Sequence, residues 1–223
     1  MKIKLVHLLT RPEDEREQRS IASLSALREF GIQYVQHVNA VNENRVLGCF
    51  LAHKRAITEC FSDDLDFLLV CECDCILRFR PEAFVRSLKY LGQTVVDNAV
   101  NVLCIGGNGF ADAVTGQGIH RCRLVAMTHC LLYPRNKKDN IFDVLKKNSW
   151  MPYDAWLSAA FGKDRSIAVT QKRLAIQSNG YTSVIDMECV KNIDWREPCI
   201  RELPPDHPYR QNPEAYFRML ELK

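Results

Sequence analysis

The sequence predicts a single α/β domain with a central, mostly parallel sheet flanked by helices. Three observations carry that prediction. Short aliphatic runs alternate with segments of helical periodicity, the 223-residue length suits one core, and no repeat or low-complexity linker divides the chain. With 47% hydrophobic and 26% charged residues the chain has enough apolar surface to offset its ordering entropy and fold alone.

Residues 2–9 read as a buried first strand, ended by Thr10 and Arg11. Pro12 then opens the acidic run Glu13, Asp14, Glu15, which suits the positive end of a helix; Ile21, Leu24, Leu27 and Phe30 continue it at helical spacing to a capping Gly31. Residues 32–41 form a second strand. Residues 48–62 form a second helix with Phe50, His53, Ile57, Cys60 and Phe61 on one face. Residues 67–77 are so apolar that they predict a central strand. Pro81 starts a helix through Leu91, and residues 101–105 form another strand. The glycines of Gly106-Gly107-Asn108-Gly109 and Gly116-Gln117-Gly118 mark turns before an apolar run at 124–133. Residues 1–185 are expected to be the main domain. Residues 186–223 form a proline-rich tail packed on it, whose Asn212-Pro213-Glu214 caps a last short helix carrying Phe217 and Leu220.

Composition narrows the function. Thirty basic against 27 acidic residues give a formal charge of +3, too balanced for a nucleic-acid footprint, although Arg135, Lys137, Lys138, Lys146 and Lys147 form a local basic patch. No run is long and apolar enough to span a bilayer, and the start is no signal peptide, so a cytoplasmic location is expected: bacterial, viral or phage-infected host cytosol. The ten cysteines, among them Cys49, Cys60, Cys104 and Cys130, lie scattered in apolar runs and read as reduced core residues. Cys71, Cys73 and Cys75 alternate, which on one strand would put three thiols on one face, but paired Cys-x-x-Cys zinc hooks are missing. Neither a Gly-x-Gly-x-x-Gly nor a Gly-x-x-x-x-Gly-Lys motif occurs, which disfavours dinucleotide-binding and P-loop folds.

The chemistry centres on Glu72 and Asp74, two carboxylates presented by an otherwise apolar run. Strand alternation predicts that they share one face, where like charges need a cation; hard oxygen ligands suit Mn²⁺ or Mg²⁺ bridging a diphosphate. Asp154, in an aromatic segment between Trp150 and Trp156, is the candidate general base, with helix capping as the competing reading. His53 and His129 read either as core histidines or as site residues, and Gln177 as a site residue or a buried polar anchor.

The run at 67–77 followed by Arg80-Pro81-Glu82 resembles the Asp-x-Asp segment of GT-A glycosyltransferases. Gly48-Cys49-Phe50-Leu51-Ala52-His53 resembles the Gly-Cys-x-x-Ser-His signature of glycosyltransferase family 25, the lipopolysaccharide and procollagen galactosyltransferase group, with Ala52 in place of serine and Glu-x-Asp in place of adjacent acids. Weaker resemblances follow in order: Leu9-Thr10-Arg11 to the nucleoside-pocket segment, Thr128 through Tyr133 to a strand beneath the acceptor side, Pro152-Tyr153-Asp154-Ala155-Trp156-Leu157 to a Pro-x-Asp-x-x-Leu element, and Leu174 through Gln177 with Tyr181-Thr182-Ser183 to a closing segment. The resemblance implies a GT-A type, Rossmann-like domain and a hexosyl- or pentosyltransferase. It implies a UDP-sugar donor, transfer with inversion, donor contacts at Thr10, Arg11, His53, Glu72 and Gln177, and metal at Glu72 and Asp74. The acceptor is a glycan or a hydroxymethylated DNA base. The alternatives are a nucleotidyltransferase, although the glycine-rich basic loop of that class is missing after the first strand, and a catalytically inactive binding protein of the same fold.

Overall fold

The first strand, β1 (Ile3–Leu9), has all but one of its residues buried, as a strand covered on both faces must be. The computed structural model describes residues 1–110, 118–147 and 151–178, with residues 211, 212 and 215; the expected tail helix, Trp150 and the Tyr181-Thr182-Ser183 segment lie outside these. After β1, Asp14 caps α1 (Glu15–Ser25) by accepting from the Arg16 amide at 2.9 Å. The expected continuation to Gly31 is present as a 3₁₀ segment, Ala26–Phe30, closed by Gly31 at φ 82°. The tighter winding changes the helical register at Ala26, so Leu24 and Leu27 are buried while Phe30, expected in the stripe, is exposed.

β2 (Gln33–Val38) leads to α2 (Arg45–Cys60), which begins three residues before the expected Gly48 because the Asn44 side chain accepts from the Leu47 amide at 3.1 Å. The predicted central strand is two strands, β3 (Phe67–Cys71) and β4 (Cys75–Leu77). α3 (Pro81–Asp97) carries proline in its first turn and runs past the expected Leu91, since Leu91 and Val95 continue its buried stripe. There follow β5 (Val102–Cys104), β6 (Asn108–Phe110), β7 (Ile119–Cys122), β8 (Leu124–Ala126), β9 (Cys130–Pro134), α4 (Lys138–Lys146), α5 (Tyr153–Phe161), β10 (Ile167–Thr170) and β11 (Ala175–Gln177).

Seven strands form the main sheet in the order β2-β1-β3-β9-β5-β10-β7. β2, β1 and β3 are mutually parallel and β5 is parallel to β10, whereas β9 and β7 run against their neighbours. The expectation of a mostly parallel central sheet holds. β4 leaves that sheet to pair with β11, and β6 pairs with β8.

Alternation along β3 divides the core. Leu68 and Val70 pack with Phe50, Ile57 and Trp156 on the α2/α5 side. Phe67, Leu69 and Cys71 pack with Leu24, Phe84 and Leu88 on the α1/α3 side. Among the described residues no helix is long and apolar enough to cross a membrane.

The basic patch is largely paired in the structure. Arg135 meets Asp66 at 3.6 Å, Lys138 meets Asp63 at 2.6 Å and Lys146 meets Asp143 at 2.8 Å. The glycines at 106 and 107 lie in the bend between β5 and β6, as expected, and they also permit close packing. A Cβ on Gly106 would lie 2.6 Å from the Ala175 carbonyl and collide with the His129 ring, and one on Gly107 would lie 2.5 Å from the Met127 carbonyl.

Candidate active site

The apolar run of β3 ends level with the start of β9, two residues short of the end of β1. The Glu72 amide makes one further bond, to the His129 carbonyl at 2.9 Å, and the Cys75 amide then returns to the Glu72 carbonyl at 3.0 Å, closing a turn. Glu72, Cys73 and Asp74 therefore lie in a tight turn between two strands, and the same-face argument for a continuous strand does not apply. The turn is at the carboxyl end of a parallel strand beside β1, the edge where open α/β sheets bind ligands. β11 clasps it from outside: Gln177 lies opposite Cys75, and the Ser178 amide donates to the Asp74 carbonyl at 2.8 Å.

One oxygen of Glu72 collects three neighbours. Oε1 accepts from His53 Nε2 at 3.0 Å and Thr128 Oγ1 at 3.4 Å, and Cys49 Sγ stands at 3.9 Å. His53 projects from the buried face of α2 and has no solvent exposure. Its ring stacks on Tyr153, centroids 3.9 Å apart, and Tyr153 exchanges a hydroxyl contact of 2.9 Å with Tyr133. Burial acts to raise the Glu72 carboxyl, but the His53 hydrogen bond and the His53 and His129 rings outweigh it, so the group is held below its ordinary value.

Asp74 is different. Its Oδ1 is buried and has no hydrogen-bond partner among the described residues. Burial, and then the charge of Glu72, push its carboxyl up to about 7 against the pull of Arg16. Arg16, a residue the sequence reading passed over, comes from α1 and donates from Nη2 to Cys73 Sγ at 3.2 Å.

Asp154 belongs to the same group of acids. It sits half-buried in the first turn of α5, where its Oδ1 accepts from the Ala155 amide at 2.9 Å, so a helix-end bond and a site position coexist. Burial raises its carboxyl and the charge of Glu72 raises it further. Cys49 lies among all three: after burial, the charges that push its thiol up are those of Glu72, Asp154, Cys73 and Asp74.

Thr10 and Arg11 stand exposed at the carboxyl end of β1. Their backbone amides donate to Glu17 Oε2 at 3.0 Å each, and Thr10 Oγ1 donates to Glu17 Oε1 at 2.8 Å. Glu17, 1% exposed, was missed in the sequence although it is the last residue of an Asp-x-x-Glu capping box begun by Asp14; it reaches past the cap to the preceding loop. His129 is a structural anchor. Its carbonyl holds the Glu72 amide, its Nε2 faces the Ala175 carbonyl at 3.4 Å, and burial pushes its pKa down.

No protein-family model matches the chain, and no curated protein matches it in sequence. Among solved structures, a glycosyltransferase involved in the glycosylation of the major capsid of PBCV-1 superposes on 81% of this chain and 95% of its own, with a TM-score of 0.53 and 9% identity. The fold is of the GT-A type. Weaker likenesses are to a Drosophila beta-1,4-galactosyltransferase 7 variant in complex with manganese, UDP-galactose and xylobiose (TM-score 0.41, 15% identity, 84% of this chain and 69% of that one) and to 4-diphosphocytidyl-2C-methyl-D-erythritol synthase of Anaerococcus prevotii (TM-score 0.45, 10% identity, 85% and 92%). In this GT-A-like chain Glu72 and Asp74 lie in the turn after β3, and Asp154, in the first turn of α5, is near enough for its charge and that of Glu72 to act on the same Cys49 thiol.

Proposed function

We propose that this chain is a metal-dependent glycosyltransferase that moves a sugar from a nucleotide-diphosphate sugar to an acceptor hydroxyl with inversion. The observation that carries the reading is the buried Oδ1 of Asp74, without a hydrogen-bond partner among the described residues, on a carboxyl raised by burial and then by the charge of Glu72. A buried carboxylate without donors is costly, and a cation offsets that cost. An unpaired carboxylate oxygen beside a second carboxylate fits a hard divalent ion, Mn²⁺ or Mg²⁺. Asp74 would hold it, with Glu72 beside it oriented by His53 and Thr128 through Oε1. Such an ion supplies charge neutralisation for the departing diphosphate.

The protein's own residues divide the remaining work. Thr10 and Arg11, fixed by Glu17 at the end of β1, border the nucleoside side, and Gln177 borders the turn from β11. Asp154 accepts the proton of the acceptor hydroxyl, whose oxygen attacks the anomeric carbon as the bond to the diphosphate breaks; a raised carboxyl suits that base role. A UDP-sugar as donor follows from the family resemblance. A glycan acceptor is favoured over a hydroxymethylated DNA base, because Arg135, Lys138 and Lys146 of the basic patch are paired with acids.

Calorimetric titration and a donor-hydrolysis screen across nucleotide-sugars, with and without Mn²⁺, test the reading. Tight binding and sugar release that both require the ion are expected. No binding to any nucleotide-sugar under either condition would leave a non-catalytic binding protein.

A further inference from the structure

A second cluster lies on the opposite side of the sheet from His53 and has no part in the proposed transfer. Cys71 ends β3, Cys75 begins β4 and Cys130 begins β9. Cys71 and Cys130 face each other in register with their sulfurs 3.6 Å apart, and all three sulfurs lie within 4.8 Å of one another. Each is fully buried. The thiol triplet expected from alternation at 71, 73 and 75 does not form, because the turn takes Cys73 away to Arg16; Cys130, distant in sequence, takes its place.

Two other buried thiols among the described residues meet backbone oxygen. Cys104 and Cys122 donate to the carbonyls of Met127, at 3.9 Å, and His120, at 3.3 Å. In the triplet, sulfur faces sulfur. Three thiolates around one ion, at a metal–sulfur bond of about 2.3 Å, stand roughly 3.8–4.0 Å apart, a spacing that lies between the 3.6 Å of the Cys71–Cys130 pair and the 4.8 Å within which all three sulfurs fall. His7, opposite Cys71 in the β1–β3 ladder, does not complete a tetrahedron: its Nδ1 is engaged by Tyr34 at 2.8 Å and its Nε2 by Ser20 at 2.9 Å. Among the described residues the donor set is therefore three soft ligands with neither carboxylate nor imidazole, and the sulfurs are shut off from water.

We propose that Cys71, Cys75 and Cys130 form a three-coordinate site for a soft monovalent ion, Cu⁺. Soft thiolate donors select Cu⁺, whereas Mg²⁺ and Mn²⁺ prefer the carboxylates of the neighbouring turn. The two sites stay chemically separate although the chain alternates between them from Cys71 to Cys75. A Cu⁺ ion there ties β3, β4 and β9 together at the root of the turn that carries Glu72 and Asp74. Entry requires local opening or loading during folding, since no sulfur is exposed. The proposal does not depend on the glycosyltransferase reading.

The test uses the full chain, reduced and free of oxygen. Cu⁺ is supplied from a competing chelator both to the folded protein and during refolding, followed by metal analysis and X-ray absorption at the copper edge. One retained Cu⁺ per chain with three sulfur neighbours is expected, lost in Cys130→Ala and in Cys71→Ala and kept in Cys73→Ala. The wild-type stoichiometry and absorption decide the question even if a variant fails to fold. No retained copper by either route, copper retained equally by Cys130→Ala, or nitrogen or oxygen neighbours as at Cys49, His53 and Glu72, would overturn the proposal.

Discussion

Two adjacent parallel strands, β1 and β3, each end beside an acid with a buried carboxylate oxygen, and the two acids are treated in opposite ways. After β1, Glu17 receives two backbone amides and a hydroxyl. After β3, Asp74 keeps a buried oxygen with no donor among the described residues and lies near a second carboxylate that raises it. Donors supplied by the fold make a carboxylate structural, holding a loop in place. Donors withheld leave it costly in isolation and ready for a cation. Asp154 falls between, with backbone amide donors and a carboxyl still raised by burial.

The comparison is broken most severely at its intermediate member. Asp154→Asn is expected to lower the transfer rate by roughly 10²- to 10⁴-fold, about 3–5 kcal/mol of barrier, with donor affinity and melting temperature nearly unchanged. A residue that served only the helix end would show no fall in transfer rate and no shift in melting temperature, since asparagine also accepts from a helix amide. Transfer rate, donor affinity and melting temperature on this one variant separate the two roles.

A smaller effect is expected where the acid is satisfied. Glu17→Ala strands two amides at the end of β1 and should cost about 2 kcal/mol, seen as a fall of roughly 4–8 °C in melting temperature. Donor affinity should weaken with it as the Thr10–Arg11 loop loosens. A variant that melts with the wild type would mean that water satisfies those amides equally well.

The smallest effect sharpens the contrast between acids and thiols. The eight cysteines of the described residues are all free; burial pushes the Cys71 thiol up, and a hydrogen bond with a neighbouring thiol, then burial, push up those of Cys75 and Cys130. Strong reductant should therefore leave melting temperature and activity of the copper-free protein unchanged. A large fall would reveal a disulfide that the fold depends on.

The sheet, its helices and the acids of the turn were legible in the sequence because each has a local cause. Pro81 starts a helix by its fixed φ, Gly31 ends one at positive φ, and a central strand must be apolar on both faces. What was not legible depends on partners distant in the chain. The break after Cys71 is set where β4 turns away to pair with β11, about a hundred residues later, and nothing in the run from Phe67 to Leu77 announces it. The choice of Cys130 over Cys73 as third thiol follows from the β3–β9 register. His53 could be placed on an apolar helical face, but only the packing of α2 against α5 shows it stacked on Tyr153 and bonded to Glu72. Glu17 had a local signal in its capping box, yet its reach back to Thr10 is a tertiary fact. Arg173, buried with its Nη2 donating to Asn108 Oδ1, had no sequence signal.

The central claim is that Asp74 is a carboxylate awaiting a cation, and its titration gives the most direct test. A carboxyl raised to about 7 in the fold from an ordinary 3.8 binds more protons folded than unfolded, so its contribution to stability falls as pH rises between those values and is flat above. Melting temperatures of wild type and Asp74→Asn should be compared at pH 5 and pH 8, in chelator and in Mn²⁺. The account predicts that the chelated wild type loses stability relative to Asp74→Asn on going to pH 8, that Mn²⁺ restores it, and that the variant gains nothing from the ion. An equal Mn²⁺ shift in both proteins, or a wild type that gains on Asp74→Asn as pH rises in chelator, would contradict it.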